Sequence, residues 1–181
     1  MSHESWDESP DRARGEPWRR PVRHSVLAGL GFATAVAGTA LLGRSTMLGK
    51  GRPEGMWFRT RRKPSFQPPN WVFGPVWALL YGTIAYSGLR LWRTPPSAGR
   101  SRALKLWGAQ LALNAAWTPL FFGARRPSVA LADLVALDTA ASVYAVCAYK
   151  VDRRAAIVVG PYLGWLGFAT VLNASIVVKN R

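Results

Sequence analysis

Long stretches of this chain carry almost no charge, and Lys and Arg crowd into the short segments between them. A soluble domain interleaves charge with apolar residues along each helix; segregation on this scale belongs to helices that lie in a bilayer, where about 20 apolar residues span the hydrocarbon. Five such segments can be marked, at about 25–43, 71–92, 103–122, 129–149 and 155–178. The pattern predicts an all-α integral membrane protein built as a bundle of five transmembrane helices. The first segment, "SVLAGLGFATAVAGTALLG", could instead be a secretory core ending in "AGTA", but it is long for that role and further spans follow it.

The 181 residues divide into a mobile N-terminal tail at 1–24 and one membrane domain at 25–181. The tail mixes acids, bases, prolines and serine without periodicity. Its Trp6 and Trp18 are placed to touch the membrane interface. The last four segments are joined by short linkers, which favours an up-down arrangement. The first connection, 44–70, is longer and reads as a lid-like loop. It ends in "KPSFQPPNWVFGPVW", whose prolines set the entry to the second helix; Pro75 is expected in about its first turn, where a missing N–H costs little. Counting Lys and Arg in the connecting segments gives twelve on one side and eleven on the other, so the positive-inside rule fixes no orientation.

The net charge of +15 raises nucleic-acid binding, but the cations sit in connecting segments rather than along one face. Anionic headgroups account for them, so the expected partner is the lipid bilayer and not nucleic acid. Cys147 is the single cysteine, and His3 and His24 lie in the tail, which excludes an intrachain disulfide, a cysteine-rich metal site and a histidine base within the apolar body. No triad, no phosphate-binding loop and no dinucleotide fingerprint is present; "GLG" at 29–31 is a fragment of an apolar span.

Polar side chains in hydrocarbon need a reason. Gln110 and Asn114 are four apart and share a face of the third helix, extended by Trp117 and Phe121. They either bond to neighbouring helices or face a pocket and meet a ligand. Gly108, Ala112 and Ala116 form a small-residue row on another face, suited to close helix packing in the same or a neighbouring protomer. Asp133 and Asp138 are five apart and splayed, unsuited to paired acid-base work. Asn173 has the same two readings as Asn114. Trp57, Trp71, Trp92 and Trp107 fall near span ends, where an aromatic belt explains them; Trp77, Trp117 and Trp165 lie deeper, as core or as stacking surface for a flat ligand.

Three ordered blocks, "WFRTRRKPSFQPPNWVFGPVW", "GAQLALNAAWTPLFFGARRPSVALADL" and "GPYLGWLGFATVLN", resemble the signatures of the tryptophan-rich sensory protein and translocator protein family, the peripheral benzodiazepine receptors. The resemblance covers roughly 25–181. It implies a commonly dimeric bundle with a pocket opening toward the first long loop, and ligands such as porphyrin and haem-type tetrapyrroles, sterols and synthetic benzodiazepine-type compounds. No cofactor is implied as a requirement; porphyrin or haem enters as ligand. By motif position it assigns Phe73, Gly74, Val76, Trp77, Asn114, Trp165, Ala169 and Leu172 to the pocket. Trp117 is placed nearby by its helical phase. Phe66 stands where the family has tryptophan in "KPSW", and Val129 where animal members have tryptophan before "ALAD". The tyrosine of the family's sterol motif is missing from "VLNASIVVK".

The leading expectation is a membrane protein that binds a flat hydrophobic ligand for transport, sensing or scavenging. Two alternatives stand beside it: light- and oxygen-dependent breakdown of bound porphyrin, and a structural or interaction role without a native small ligand. The Arg- and Ala-rich composition, with no evident organelle presequence, points to a bacterial inner membrane; an organellar membrane is the alternative.

Overall fold

A computed structural model describes residues 22–47 and 57–180. Residues 1–21 of the expected tail and 48–56 of the expected lid lie outside the described residues. Among the described residues every regular element is helical: α1 Val22–Met47, α2 Asn70–Trp92, α3 Ala98–Thr118 continued by a π-helical turn Pro119–Gly123, α4 Pro127–Tyr149, a short α5 Arg153–Ile157 and α6 Gly160–Lys179. Asn70–Trp92, Pro127–Tyr149 and the run Arg153–Lys179 are long and apolar enough to cross a membrane. Leu30, Leu41, Leu79, Val135, Val146 and Val178 stand exposed on the outside, a surface suited to lipid rather than water.

Local chemistry explains where the helices begin and break. α3 starts five residues before the apolar run, because Ser97 caps it: its side chain accepts from the Arg100 amide at 3.1 Å. Asp152 caps α5 by accepting from the Arg154 and Ala155 amides at 2.9 and 3.2 Å. The fifth span is interrupted between Ile157 and Gly160, since Pro161 offers no amide to the preceding turn. Pro75 corrects the expectation stated for it. α2 begins at Asn70, so Pro75 is the sixth residue and lies inside the helix, where it removes the amide that would bond the Trp71 carbonyl.

Two apolar clusters fill the bundle. The larger runs along α2, α3, α4 and α6 through Ile84, Leu91, Leu111, Leu137, Tyr144 and Leu166. The smaller gathers Phe121, Phe122, Ala130, Leu172 and Ile176 at the end where α3 turns into α4, with Phe58, Phe73 and Phe168 packed against it. The opposite end is bonded. Ser87 donates to the Ala155 carbonyl at 2.6 Å. Its single proton thus committed, Ser87 accepts from the Tyr144 hydroxyl. Trp107, expected in an interfacial belt, is instead 7% exposed and donates to the Ile84 carbonyl at 2.9 Å. The early start of α3 places it almost three turns into the helix.

Candidate ligand-binding site

Midway along the bundle, four polar side chains from three helices meet. Tyr81 of α2 donates to Asn114 Oδ1 of α3 at 2.9 Å. Asn114 Nδ2 faces the Tyr162 hydroxyl of α6 at 3.5 Å, and that hydroxyl donates to Gln110 Oε1 at 2.7 Å. The i, i+4 spacing of Gln110 and Asn114 puts both on the inner face of α3, 0% and 6% exposed. The bonds run in one direction and end at Gln110 Nε2, buried without an acceptor among the described residues.

Aromatic rings rise from this network toward the loop at 57–69. Trp77 lies 5.2 Å from Tyr81 and 6.5 Å from Tyr162. One turn earlier on α2, Phe73 meets Trp165 of α6 edge-on at 5.7 Å. Trp165 meets Phe168 at 5.3 Å, and Phe168 meets Phe66 of the loop at 6.3 Å. The Trp165 indole nitrogen is also buried without a partner among the described residues. Phe58 packs on Phe121 and Phe122 at 5.7 and 5.4 Å. The loop is latched to the end of α6: the Arg62 amide donates to Asn180 Oδ1, and Asn180 Nδ2 donates to the Arg62 carbonyl, both at 3.0 Å. Arg61 and Lys63 lie over the Trp57 and Phe58 rings.

The residues singled out by sequence fall into groups. Phe73, Trp77, Asn114 and Trp165 stand together in the arrangement just described. Val76 and Ala169 are half-buried against the larger cluster, and Leu172 belongs to the smaller one. Trp117 stacks on Phe121 at 5.1 Å. With the Asn173 amide turned to satisfy both neighbours, Asn173 accepts from the Trp117 indole at 3.2 Å and donates to the Pro127 carbonyl at 3.1 Å. Asn173 thus serves helix packing, and it fixes the Trp117 ring. Gly74 is exposed, with open space where a Cβ would lie. Gly108 and Ala112 lie on the outer face of α3, while Ala116 is half-buried. Tyr81 and Tyr162 were not singled out. Their signal was spacing: Tyr81 is four residues after Trp77, and Tyr162 three before Trp165.

Set beside known proteins, residues 30–179 match the model of the TspO/MBR family. The chain belongs to the TspO/MBR family. It is 39% identical over 159 residues to the Translocator protein of Sus scrofa, covering 87% of this chain and 88% of that one. Against the Translocator protein of Homo sapiens it is 39% identical over 146 residues, 80% of this chain and 85% of that one. A bacterial relative, the Tryptophan-rich sensory protein of Cereibacter sphaeroides, is 37% identical over 119 residues, 65% of this chain and 72% of that one. The family is one of membrane helical bundles, and all four polar residues of the network lie within the matched span.

Proposed function

We propose that this TspO/MBR protein binds a flat hydrophobic ligand, a porphyrin or haem-type tetrapyrrole, between α2, α3 and α6, and serves its transport, sensing or scavenging. The observation that carries the reading is the union of an aromatic wall with an unanswered donor. Phe73, Trp77 and Trp165 offer ring surface to a planar molecule, each ring pair contributing about 0.5–1.5 kcal/mol beyond burial. Gln110 Nε2 and the Trp165 indole nitrogen are both donors without an acceptor among the described residues. A buried donor without an acceptor costs about 1–3 kcal/mol, which a ligand carbonyl or carboxylate recovers on reaching it. The loop at 57–69 acts as the lid, with Phe66 as its contact to the α6 rings. Gly108 and Ala112, exposed on α3, form the face through which two copies would pair.

Quenching of tryptophan fluorescence by protoporphyrin, with the full chain in detergent, tests the site. Saturable quenching is expected, weakened at least tenfold in the Trp77→Ala, Asn114→Ala double variant. Unchanged affinity in that variant would sink the assignment.

A further inference from the structure

The carboxylates of this chain are unevenly placed. Glu4, Asp7, Glu8 and Asp11 fall within residues 4–11, a stretch without Lys or Arg. The described residues hold Asp133 and Asp138 inside α4, and Asp152 at the cap of α5. Asp152 is already paired with Arg90 at 2.8 Å. Around it, the end where α2 passes into α3 and α4 into α5 is strongly cationic. Arg93 closes α2, Arg102 and Lys105 stand on the first two turns of α3, Lys150 closes α4, and Arg153 and Arg154 open α5. All of these are exposed. The two connections adjoin, since an added Cβ at Gly99 would lie 3.4 Å from the Val151 side chain.

α1 enters the bundle at this same end. A Cβ at Gly29 would lie 3.7 Å from Leu89, and one at Gly88 would lie 2.7 Å from the Phe32 ring and 2.8 Å from Trp107. The later half of α1 reaches the π-helical turn at the far end. α1 therefore runs antiparallel to α2, and its first residue, Val22, stands about 10 Å beyond the Leu89 contact, level with the connection from α2 to α3.

We propose that residues 4–11 fold back onto this face and set their carboxylates against Arg93, Arg102, Lys150 and Arg154. The intervening residues 12–21 reach up to about 33 Å when extended, more than the roughly 20 Å across two helix spacings. Single surface ion pairs are weak, but the tether makes docking intramolecular, at an effective concentration of about a millimolar. The cations at the far end, around Arg62 and Lys179, are out of reach, because about 30 Å of hydrocarbon lies between. The face is separate from the aromatic arrangement between α2 and α6, and the inference does not depend on what binds there.

Carbodiimide coupling tests this, with the full chain in phosphatidylcholine nanodiscs and the products read by peptide mass spectrometry. The reagent joins a carboxylate to a lysine only where the two touch. Links from Asp7, Glu8 or Asp11 to Lys105 or Lys150 are expected, with none to Lys63 or Lys179. The triple variant Arg93→Gln, Arg102→Gln, Arg154→Gln keeps both lysines and the Arg90–Asp152 pair, and should lower the yield of links about fivefold. Salt at about 1 M, where screening acts within about 3 Å, should lower it as well. A yield that the triple variant leaves unchanged is the mark of a tether alone and would overturn the proposal. Links that join two copies in place of one chain would overturn it too. So would links that vanish when phosphatidylglycerol replaces half of the phosphatidylcholine, by assigning these cations to lipid headgroups.

Discussion

Where α4 passes into α5, Tyr144, Ser87 and the Ala155 carbonyl form an unbroken line of hydrogen bonds, and Arg90 is clamped to Asp152. At the other end Phe58, Phe66, Phe73, Trp165 and Phe168 meet mostly edge to face, and buried polar atoms of Gln67 and Trp165 have no partner among the described residues. Hydrogen bonds demand narrow distances and angles, whereas ring pairs keep their modest attraction over a wide range of geometries. One half of the bundle therefore specifies its structure closely. The other is held together by contacts that tolerate a wider range of geometries.

The contrast can be broken most sharply at Ser87. Ser87→Ala strips partners from both the Tyr144 hydroxyl and the Ala155 carbonyl, and should cost about 3 kcal/mol, read as a lowered unfolding midpoint in detergent. Phe73→Leu at the aromatic end should cost much less stability but weaken porphyrin quenching several-fold. If the two variants lost stability equally, the contrast would fail. Next in size is Gly88→Ala. Its methyl group meets two rigid rings below 3 Å, which predicts a loss of about 1–3 kcal/mol by thermal unfolding.

Phe66→Trp sharpens the other half. A larger ring at the loop's contact with Phe168 should tighten protoporphyrin binding by about 1 kcal/mol, or roughly fivefold, in a quenching titration. The smallest effect concerns pH. Partial burial of Asp152 opposes its charge, but hydrogen bonds from Arg90 and from the Ala155 and Arg154 amides outweigh it and hold the carboxyl below its ordinary value. A depressed pKa gives stability that is fully present above the unfolded value, near 3.8, and is lost as pH falls through the folded value. The pair is partly solvated, so the gain is under about 1 kcal/mol. Unfolding midpoints of the Asp152→Asn variant and the unaltered chain should differ at pH 6 and converge in strong acid.

Helix identity was legible because hydrocarbon imposes a crude demand that composition alone can meet. The start of α3 was not, since Arg100, Arg102 and Lys105 interrupt the apolar run; Arg100 resolves this by laying its guanidinium on Trp92, and Ser97 supplies the cap. The break before α6 turns on Gly160 and Pro161, which read as minor punctuation inside a long apolar segment. At the candidate site, helical phase was enough to put Gln110 and Asn114 on one face of α3 and Gly108 and Ala112 on another; the fold buries the first pair and leaves the second exposed. Phase within a helix says nothing of which neighbour it meets. Tyr81 and Tyr162 look like ordinary core residues until α2 and α6 are brought beside α3, and only then do their hydroxyls find Asn114 and Gln110. Trp107 shows the same limit from the other side: near a span end by sequence, it is a core residue bonded to the Ile84 carbonyl.

The reciprocal bonds between Arg62 and Asn180 join positions 118 apart in the chain. During synthesis the loop emerges before α3, α4 and α6, yet its latch lies beyond the last of them. The loop at the aromatic end therefore stays unfastened until α6 has entered the membrane. In the order of assembly, the bonds between Arg62 and Asn180 come last, after the hydrogen-bonded end has had every partner it needs.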